Sequence, residues 1–323
     1  MKTEKTWTLM EILKWSVDYL TGKGIEDARS NVEWLLCEIL SYSRMDLYLK
    51  FDRPMSEAEL ARYRPLLLRC AAHQPVQQLV GSCEFYGFKL AVNDKVLIPR
   101  PETERLVEAC IREAAALTEA KTRAEITASA AETEQAKPHS DDGAEVFNFK
   151  PELYILDIGA GSGCISIALA KHIPNAVLYA MEKSADAIEV LQRNIHYHDL
   201  EKRVQILEQD ILEFRPQRRF DIIVSNPPYI AVDEMAGLDP RVSHYEPYMA
   251  LSDADDGLSF YHYFASRFPE WLMPDAPAFL EFGGKSQSAA LKNIFSAFRT
   301  EIILDYQGNE RVLVLRLKNG DEQ

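Results

Sequence analysis

Apolar residues recur every three or four positions through the first part of the chain, which is the period of a helix that buries one face. A capping box formed by Thr8 and Glu11 precedes the first apolar run. A second capping box, Ser56 and Glu59, precedes the third run. The pattern therefore predicts a small N-terminal helical domain over residues 1–75. The apolar faces of its three helices are Leu9, Ile12, Leu13, Val17 and Leu20; Val32, Leu35, Leu36, Ile39 and Leu40; and Leu60, Tyr63 and Leu67.

The pattern changes twice before the second half of the chain. Aromatic and β-branched residues surround Gly87 between residues 85 and 92, which predicts a short hairpin within a linker of residues 76–112. Residues 113–150 contain almost no large apolar side chain between Leu117 and Val146, so we interpret them as a low-complexity insertion that forms no core and carries no chemistry. Its Ala- and Glu-rich first part favours extension of the preceding helix, and residues 137–143 are typical of a loop.

From residue 151 onward, short apolar runs alternate with helical patterns. Helices fall between most of the runs, which predicts a parallel sheet joined by right-handed crossovers. Only residues 306–310 separate the last two runs, too few for a crossover helix, so we expect these two strands to form an antiparallel hairpin. The seven strand candidates, in a second domain of residues 151–323, are Tyr154–Ile158, Val177–Met181, Val204–Leu207, Asp221–Ser225, Ala278–Phe282, Glu301–Asp305 and Arg311–Leu317.

Charge and composition narrow the class of protein. Hydrophobic residues make up 47% of the chain and charged residues 27%, which is typical of globular proteins and excludes fibrous or wholly disordered ones. The 36 basic and 50 acidic side chains give a formal net charge of −14. This charge opposes attraction to nucleic acid and to anionic lipid, so we expect no direct nucleic-acid partner.

The cysteines and histidines suggest neither disulfides nor a metal site. The five cysteines include no C-x-x-C pair, which favours a reducing compartment. His196 and His198 are two positions apart on a helical pattern and do not share a face, so we predict no metal. The chain has no apolar leader at its start and no apolar run long enough to span a membrane, so we expect a cytoplasmic protein without membrane contact.

Residues 157–163 read Asp-Ile-Gly-Ala-Gly-Ser-Gly and follow the first strand candidate. Alternating glycines let the backbone turn tightly and approach a ligand. The dinucleotide pattern G-x-G-x-x-G fails in both registers, because Cys164 and Ser166 occupy its last position. The pattern D-x-G-x-G-x-G resembles the S-adenosylmethionine loop of class I methyltransferases, in which the acid faces the methionyl ammonium group; a purely structural turn is the alternative. The resemblance implies a cofactor site formed by Asp157, Gly159, Ala160, Gly161, Ser162 and Gly163.

Acidic residues also follow the next two strand candidates. Glu182 stands about twenty residues beyond the glycines, where a carboxylate can accept two hydrogen bonds from a ribose diol. Asp210 can accept from an adenine amino group, and the neighbouring Ile211 can cover the ring. Each acid is a weak signal alone, but together with the glycine loop they predict a cofactor site along one sheet edge.

The motif Asn226-Pro227-Pro228-Tyr229 follows the fourth strand candidate. Its prolines make the loop rigid and bias the asparagine away from helical conformation. The Asn226 side-chain oxygen and the Pro227 carbonyl can each accept one N–H of a planar amide or amine, while Tyr229 packs on the flat group. We therefore take Asn226, Pro227 and Tyr229 as candidate catalytic residues, all four residues as substrate-binding, and Asn226 also as cofactor-binding.

With these motifs the chain resembles the PrmC/HemK family of glutamine N5-methyltransferases that act on peptide chain release factors. The resemblance extends over nearly the whole chain except the insertion. It implies an α/β class I S-adenosylmethionine-dependent methyltransferase, Rossmann-like, with a seven-stranded sheet ending in an antiparallel hairpin and a small N-terminal helical domain that docks the factor. The further residues that carry it are Gly81, Glu84 and Phe85; Val96 to Glu104; Tyr245, Glu246 and Pro247; Ala250 and Leu251; Glu281, Phe282 and Gly283; and Gly308 to Arg311.

The resemblance implies methyl transfer from S-adenosylmethionine to the glutamine amide of the Gly-Gly-Gln motif in class I release factors. An amide nitrogen is a poor nucleophile and no strong base stands among the motif residues, so we expect catalysis by positioning and by acceptors that stabilise developing charge.

Other functions share this chemistry. A glutamine methyltransferase of a ribosomal protein would use the same loop, although the pattern between Gly81 and Glu104 favours release factors. An adenine-N6 DNA methyltransferase also presents two N–H donors to such a loop, but the net charge of −14 and the lack of a basic recognition domain oppose it. A cofactor-binding scaffold without turnover would require a damaged loop, and all four loop residues are present.

Overall fold

The structure, a computed structural model, describes residues 6–135 and 152–318. The chain divides into two compact units, which we call the helical unit and the sheet unit. The helical unit comprises residues 1–83, 91–98 and 236–247, and the sheet unit comprises residues 84–90, 99–235 and 248–323. The segment 236–247 follows the Asn-Pro-Pro-Tyr loop in sequence but belongs to the helical unit. Each unit is therefore built from several separate stretches of the chain.

The helical unit is built on capped helices around an apolar core. Both predicted capping boxes are confirmed: Thr8 with Glu11 starts the first helix, and Ser56 with Glu59 starts the fourth. A third box, which the pattern did not predict because Asp46 replaces the usual Glu, starts a short helix at Ser43. The helices are α1 (Leu9–Thr21), α2 (Ala28–Leu40), α3 (Arg44–Leu49), α4 (Glu57–Ala71) and α5 (Val76–Val80), and their core includes Leu9, Val32, Leu35, Leu36 and Tyr63.

The predicted hairpin is confirmed as β1 (Ser82–Phe85) and β2 (Phe88–Ala91). Its two turn residues, Tyr86 and Gly87, have φ values of +50° and +77°. Positive φ at both central positions is the hallmark of the type I′ turn, whose twist matches that of the flanking strands.

Helix α6 (Thr103–Gln135) carries the chain into the predicted insertion. The expectation that residues 113–150 form no core is corrected at their start, where Ala114 is fully buried. Thr118 Oγ1 accepts from Asn175 Nδ2 at 3.1 Å, and Lys121 Nζ lies 2.8 Å from Asp221 Oδ1. Beyond Leu117, α6 contacts the rest of the sheet unit through polar side chains. The pattern of large apolar residues therefore does not reveal this packing. The predicted loop at residues 137–143 lies outside the described residues.

All seven predicted strands form one sheet with the order β5-β4-β3-β6-β7-β9-β8. Strands β3 to β7 run parallel, and the antiparallel β8–β9 hairpin is confirmed. The second strand of the hairpin inserts beside β7, which the sequence did not predict. The strands are β3 (Leu153–Ile158), β4 (Ala176–Glu182), β5 (Val204–Glu208), β6 (Ile222–Ser225), β7 (Ala278–Glu281), β8 (Phe298–Leu304) and β9 (Glu310–Leu317).

Burial explains the inner position of β9. Val312, Leu313, Val314 and Leu315 are all buried, so both faces of β9 need covering layers. In β8 only Phe298 is buried and the other residues are half-buried or exposed, which suits an edge. The remaining helices are α7 (Cys164–His172), α8 (Ala185–Tyr197), α9 (Pro240–Ser243), α10 (Tyr248–Leu251), α11 (Ser259–Trp271) and α12 (Lys285–Ile294), with a 3-10 turn at Met235–Gly237. In the described part of the chain, no helix is both long and apolar enough to cross a membrane.

The strand order reverses at β3, which has β4 on one side and β6 on the other. Connections then leave the carboxyl ends of these strands in opposite directions and open a crevice, which is where ligands bind in open α/β sheets. The predicted site residues lie at or just beyond the carboxyl ends of β3, β4, β5 and β6, so the topology brings them to this edge.

Candidate active site

The glycine loop between β3 and α7 is held against the end of β4. The amides of Gly159 and Ala160 both donate to the Met181 carbonyl, at 2.9 and 2.8 Å. The amide of Gly161 donates to Glu182 Oε2 at 2.9 Å. The three glycines of the loop have φ values of +74°, +55° and +81°, a conformation that side chains with a Cβ rarely adopt.

The lack of a side chain has a different consequence at each glycine of this loop. A Cβ at Gly163 would lie 2.4 Å from Leu191 Cδ1, so this glycine allows α7 to pack closely on α8. At Gly159 no described atom lies within 4 Å of such a Cβ, and at Gly161 only the Gly159 carbonyl does, at 3.9 Å. The first half of the loop therefore presents an open backbone surface that can receive a ligand.

Asp157 is fully buried at the end of β3. Its Oδ2 accepts from the Ser166 amide at 3.1 Å and from Ser166 Oγ at 2.6 Å. Its Oδ1 is buried without a hydrogen-bond partner among the described residues. Burial raises the pKa of Asp157 to about 7 against the opposing hydrogen bonds from Ser166. A buried carboxylate oxygen without a partner fits a cationic N–H group, as the methionyl ammonium of S-adenosylmethionine would provide.

The carboxylate of Glu182 already supports the loop. Its Oε1 accepts from the amides of Lys183 and Ser184, both at 2.9 Å, while Oε2 accepts from Gly161. A carboxylate offers about four acceptor positions, so one remains on Oε2. One acceptor position thus remains at Glu182, and its role in holding a ribose diol stays a prediction.

Asp210 lies at the end of β5 and is tied to the residue after Glu182. Lys183 Nζ lies 3.0 Å from Asp210 Oδ2, and the Leu212 amide donates to Oδ1 at 3.0 Å. The hydrogen bond from Leu212, followed by that from Lys183, lowers the pKa of Asp210, so it remains an ionised acceptor. Ile211 is buried in the core of the sheet unit. Within residues 6–135 and 152–318, no three His, Cys, Asp or Glu side chains are grouped as metal ligands.

The Asn-Pro-Pro-Tyr loop leaves β6 directly beside the glycine loop. Ser225 Oγ donates to the Ile158 carbonyl at 2.8 Å, which ties the ends of β6 and β3 together. Asn226 is half-buried, and its Nδ2 donates to Thr103 Oγ1 at 3.4 Å. The carbonyl of Tyr229 accepts from Gln287 Nε2 at 2.9 Å, which holds the far end of the loop.

Thr103 and Glu281, which the sequence placed only within longer family motifs, lie beside Asn226 and Tyr229. Glu281 is 1% exposed at the end of β7, and the Tyr229 hydroxyl donates to its Oε1 at 3.4 Å. Burial raises the pKa of Glu281 to about 7, although the nearby Thr103 hydroxyl and the charge of Arg311 act in the opposite direction. The sequence could have predicted a functional role for Glu281, because it is an acidic residue at a strand end, as Glu182 is.

The fold and the site define the class of protein. The sheet order, the D-x-G-x-G-x-G loop after β3 and the terminal antiparallel strands are those of class I methyltransferases. A family model described as the methyltransferase small domain matches residues 136–237. The chain is therefore a class I methyltransferase, and the predicted fold class is confirmed.

Comparison with known proteins identifies the family. The PrmC N-terminal domain model matches residues 11–81. The chain is 38% identical over 283 residues to a release factor glutamine methyltransferase of Geobacter sulfurreducens, covering 87% of each chain. It is 32% identical over 311 residues to one of Bacillus subtilis, covering 95% of this chain and 96% of that relative. The chain belongs to the release factor glutamine methyltransferase family, which confirms the resemblance drawn from its motifs.

A solved methyltransferase structure from Pyrococcus furiosus is also similar, with a TM-score of 0.39 and 18% identity over 51% of this chain and 75% of that chain.

Proposed function

We propose that this chain transfers a methyl group from S-adenosylmethionine to the side-chain amide nitrogen, N5, of the glutamine in the Gly-Gly-Gln motif of class I peptide chain release factors. The observation that carries the proposal is the position of Asn226, half-buried at the end of β6 with its amide nitrogen directed to Thr103. Its side-chain oxygen is then available for a substrate N–H. Family membership supplies the substrate class.

The residues around the glycine loop fit the cofactor. Asp157 Oδ1 would accept from the ammonium group, and the open backbone at Gly159 and Gly161 would receive the methionyl part. The remaining acceptor position of Glu182 would take a ribose hydroxyl, and Asp210 would accept from the adenine amino group. When bound, S-adenosylmethionine supplies an electrophilic methyl group on a sulfonium.

The chain's own contribution to the reaction is positioning. The two N–H groups of a glutamine amide can donate to Asn226 Oδ1 and to the Pro227 carbonyl, which orients the nitrogen lone pair. As the bond from nitrogen to the methyl carbon formed, the bond from that carbon to the sulfonium sulfur would break and leave a neutral thioether. The two oxygen acceptors stabilise the positive charge that develops on the nitrogen until one N–H proton passes to water. The hydroxyl of Tyr229 is held by Glu281, so the ring is fixed as a flat surface for the amide.

Mass spectrometry tests the proposal directly. A release factor incubated with this protein and S-adenosylmethionine should gain one methyl group, localised by fragmentation to the glutamine of its Gly-Gly-Gln peptide. Asn226→Ala should lower the single-turnover rate on the order of a hundredfold, with cofactor affinity changed far less. Asn293→Ala, which alters an exposed asparagine of α12, serves as the matched control.

Two results would contradict the proposal. One is an unchanged rate in Asn226→Ala. The other is preferential methylation of a ribosomal protein or of a DNA duplex in parallel reactions, which would identify one of the alternative substrates.

A further inference from the structure

A glutamine side chain of α12 connects the loops that follow β6 and β7 in the sheet unit. Gln287 Nε2 donates to the Tyr229 carbonyl at 2.9 Å, and Gln287 Oε1 accepts from the Gly283 amide at 2.9 Å. Tyr229 ends the Asn-Pro-Pro-Tyr loop after β6, and Gly283 lies two residues beyond β7. Because a backbone carbonyl only accepts and a backbone amide only donates, these two partners allow a single orientation of the Gln287 amide.

Two glycines lie close to this amide. A Cβ at Gly257 would lie 3.1 Å from Gln287 Nε2 and 2.3 Å from the Tyr229 carbonyl oxygen. A Cβ at Gly283 would lie 3.0 Å from Gln287 Oε1. The two glycines therefore leave the space that the amide occupies, and a side chain at either position would crowd it.

The hydrogen bond from Gln287 holds one side of the peptide group between Tyr229 and Ile230. The other side is held by the Ile230 amide, which donates to the Leu251 carbonyl at 3.0 Å. At its start the loop continues directly from β6, which is paired on both sides, and its two prolines have a fixed φ. The loop is thus anchored at both ends, and the direction of the Pro227 carbonyl depends on the second anchor.

We infer that Gln287 is a positioning residue for methyl transfer: by holding the Tyr229 carbonyl it fixes the loop whose acceptors, Asn226 Oδ1 and the Pro227 carbonyl, receive the substrate amide. The inference rests on the proposed function, in which those two acceptors orient the glutamine nitrogen. Gln287 acts through the backbone of the loop, so its loss misdirects the acceptors without removing either of them.

A purely structural role for Gln287 makes a different prediction. Gln287 is the third residue of α12, where a side-chain oxygen that accepts from a backbone amide before the helix stabilises the helix start. Such a capping role depends on the oxygen alone, whereas positioning of the loop depends on the NH2 group. Gln287→Glu separates the two roles. A carboxylate keeps the acceptor for Gly283 and suits a helix N-terminus, but it places an oxygen against the Tyr229 carbonyl.

The first measurement is single-turnover methylation of a release factor at saturating S-adenosylmethionine and about pH 8. Gln287→Glu should lower the rate on the order of tenfold or more, with cofactor affinity changed far less, because the loop end is displaced. Gln192→Glu, the same change at an exposed glutamine of α8, is the matched control and should keep the wild-type rate. A Gln287→Glu protein that is as fast as Gln192→Glu would overturn the inference and leave capping as the role of Gln287.

The second measurement is the pH profile of Gln287→Glu. When protonated, the introduced carboxyl can donate to the Tyr229 carbonyl as the amide does, and this hydrogen bond raises its pKa above the usual value. The rate relative to Gln192→Glu should therefore recover roughly threefold or more between about pH 8 and about pH 5.5. Taking the ratio at each pH cancels the titration of Asp157 and Glu281, whose pKa values are both about 7. A ratio that does not change with pH would contradict the inference.

Hydrogen exchange tests the anchor without any substrate. In Gln287→Glu, and in Gln287→Met, which keeps the length of the side chain, the peptide after Tyr229 loses one of its two holds. The Ile230 amide should then exchange about tenfold faster than in the wild type, while the amides of β6 keep their protection. Unchanged exchange at Ile230 in both variants would overturn the inference whether or not the protein methylates release factors. Failure of the wild-type protein to methylate any release factor would contradict the proposed function, while the exchange of Ile230 would still decide the inference.

Discussion

Replacing Gly257 with alanine should damage the catalytic loop without touching the cofactor site. Gly257 has a φ of +78°, and a Cβ there would lie 2.3 Å from the Tyr229 carbonyl oxygen and 2.9 Å from its carbon. The shorter contact is about 1 Å inside the 3.4 Å at which ordinary van der Waals contact begins. Because both clashing atoms are backbone, and Gln287 Nε2 already holds this oxygen, the end of the Asn-Pro-Pro-Tyr loop must move.

The chain offers a matched control at Gly87. Its φ of +77° is nearly the same, but none of the described atoms lies within 4 Å of a Cβ built there. Gly87→Ala therefore carries the left-handed strain of roughly 1 kcal/mol without the clash. A displacement of about 1 Å at a positioning group can lower the rate about a hundredfold, so the difference in rate between Gly257→Ala and Gly87→Ala should be of that order.

Three assays distinguish this effect from unfolding. Single-turnover methylation at saturating cofactor gives the rate, calorimetric titration gives cofactor affinity, and urea denaturation gives the free energy of unfolding. We expect a large loss of rate in Gly257→Ala with nearly unchanged cofactor affinity. A folded Gly257→Ala protein that turns over as fast as Gly87→Ala would refute the reasoning.

Three further predictions concern the cofactor loop, the buried acids and the insertion. Gly161→Val should weaken S-adenosylmethionine binding at least about tenfold in calorimetry, because a β-branched side chain at a φ of +55° distorts the loop; unchanged affinity in a folded variant would argue against the cofactor assignment. Asp157 and Glu281 stay protonated up to about pH 7 in the folded protein but only up to about pH 4 in the unfolded chain. Their contribution to the free energy of unfolding is therefore greatest at low pH and is lost as the pH rises through about 7. Urea titrations at about pH 5 and about pH 8 should therefore show a smaller fall in stability for Glu281→Gln than for the wild type, and an equal fall would contradict the raised pKa. Deleting residues 128–147 should leave the melting temperature unchanged. Deleting residues 118–147 should lower it by about 2–4 °C or more, because the buried Asp221 loses its partner Lys121. Equal melting temperatures of the two deletion variants would show that this contact contributes nothing to stability.

Local sequence determined the elements whose signals lie within a few residues. The capping boxes at Thr8 and Ser56 start helices where predicted, because a cap depends only on residues three positions apart. The glycine loop is likewise local, since its positive φ values require glycine wherever the loop lies. The family could also be predicted, because its motifs are contiguous stretches of residues.

The tertiary structure alone decided which polar groups meet. Thr103 and Glu281 are far from Asn226 in the chain. The start of α6 brings the Thr103 hydroxyl within 3.4 Å of Asn226 Nδ2, and the pairing of β6 with β7 places Glu281 at the neighbouring strand end. At Glu182 the two kinds of contact combine: Oε1 accepts from the amides of the next two residues, a local contact, whereas only the packing of the glycine loop against β4 brings the Gly161 amide to Oε2. Spacing along the chain identifies a residue that can accept a hydrogen bond. Which donor reaches it depends on long-range packing, because a hydrogen bond requires contact within about 3 Å and a defined direction.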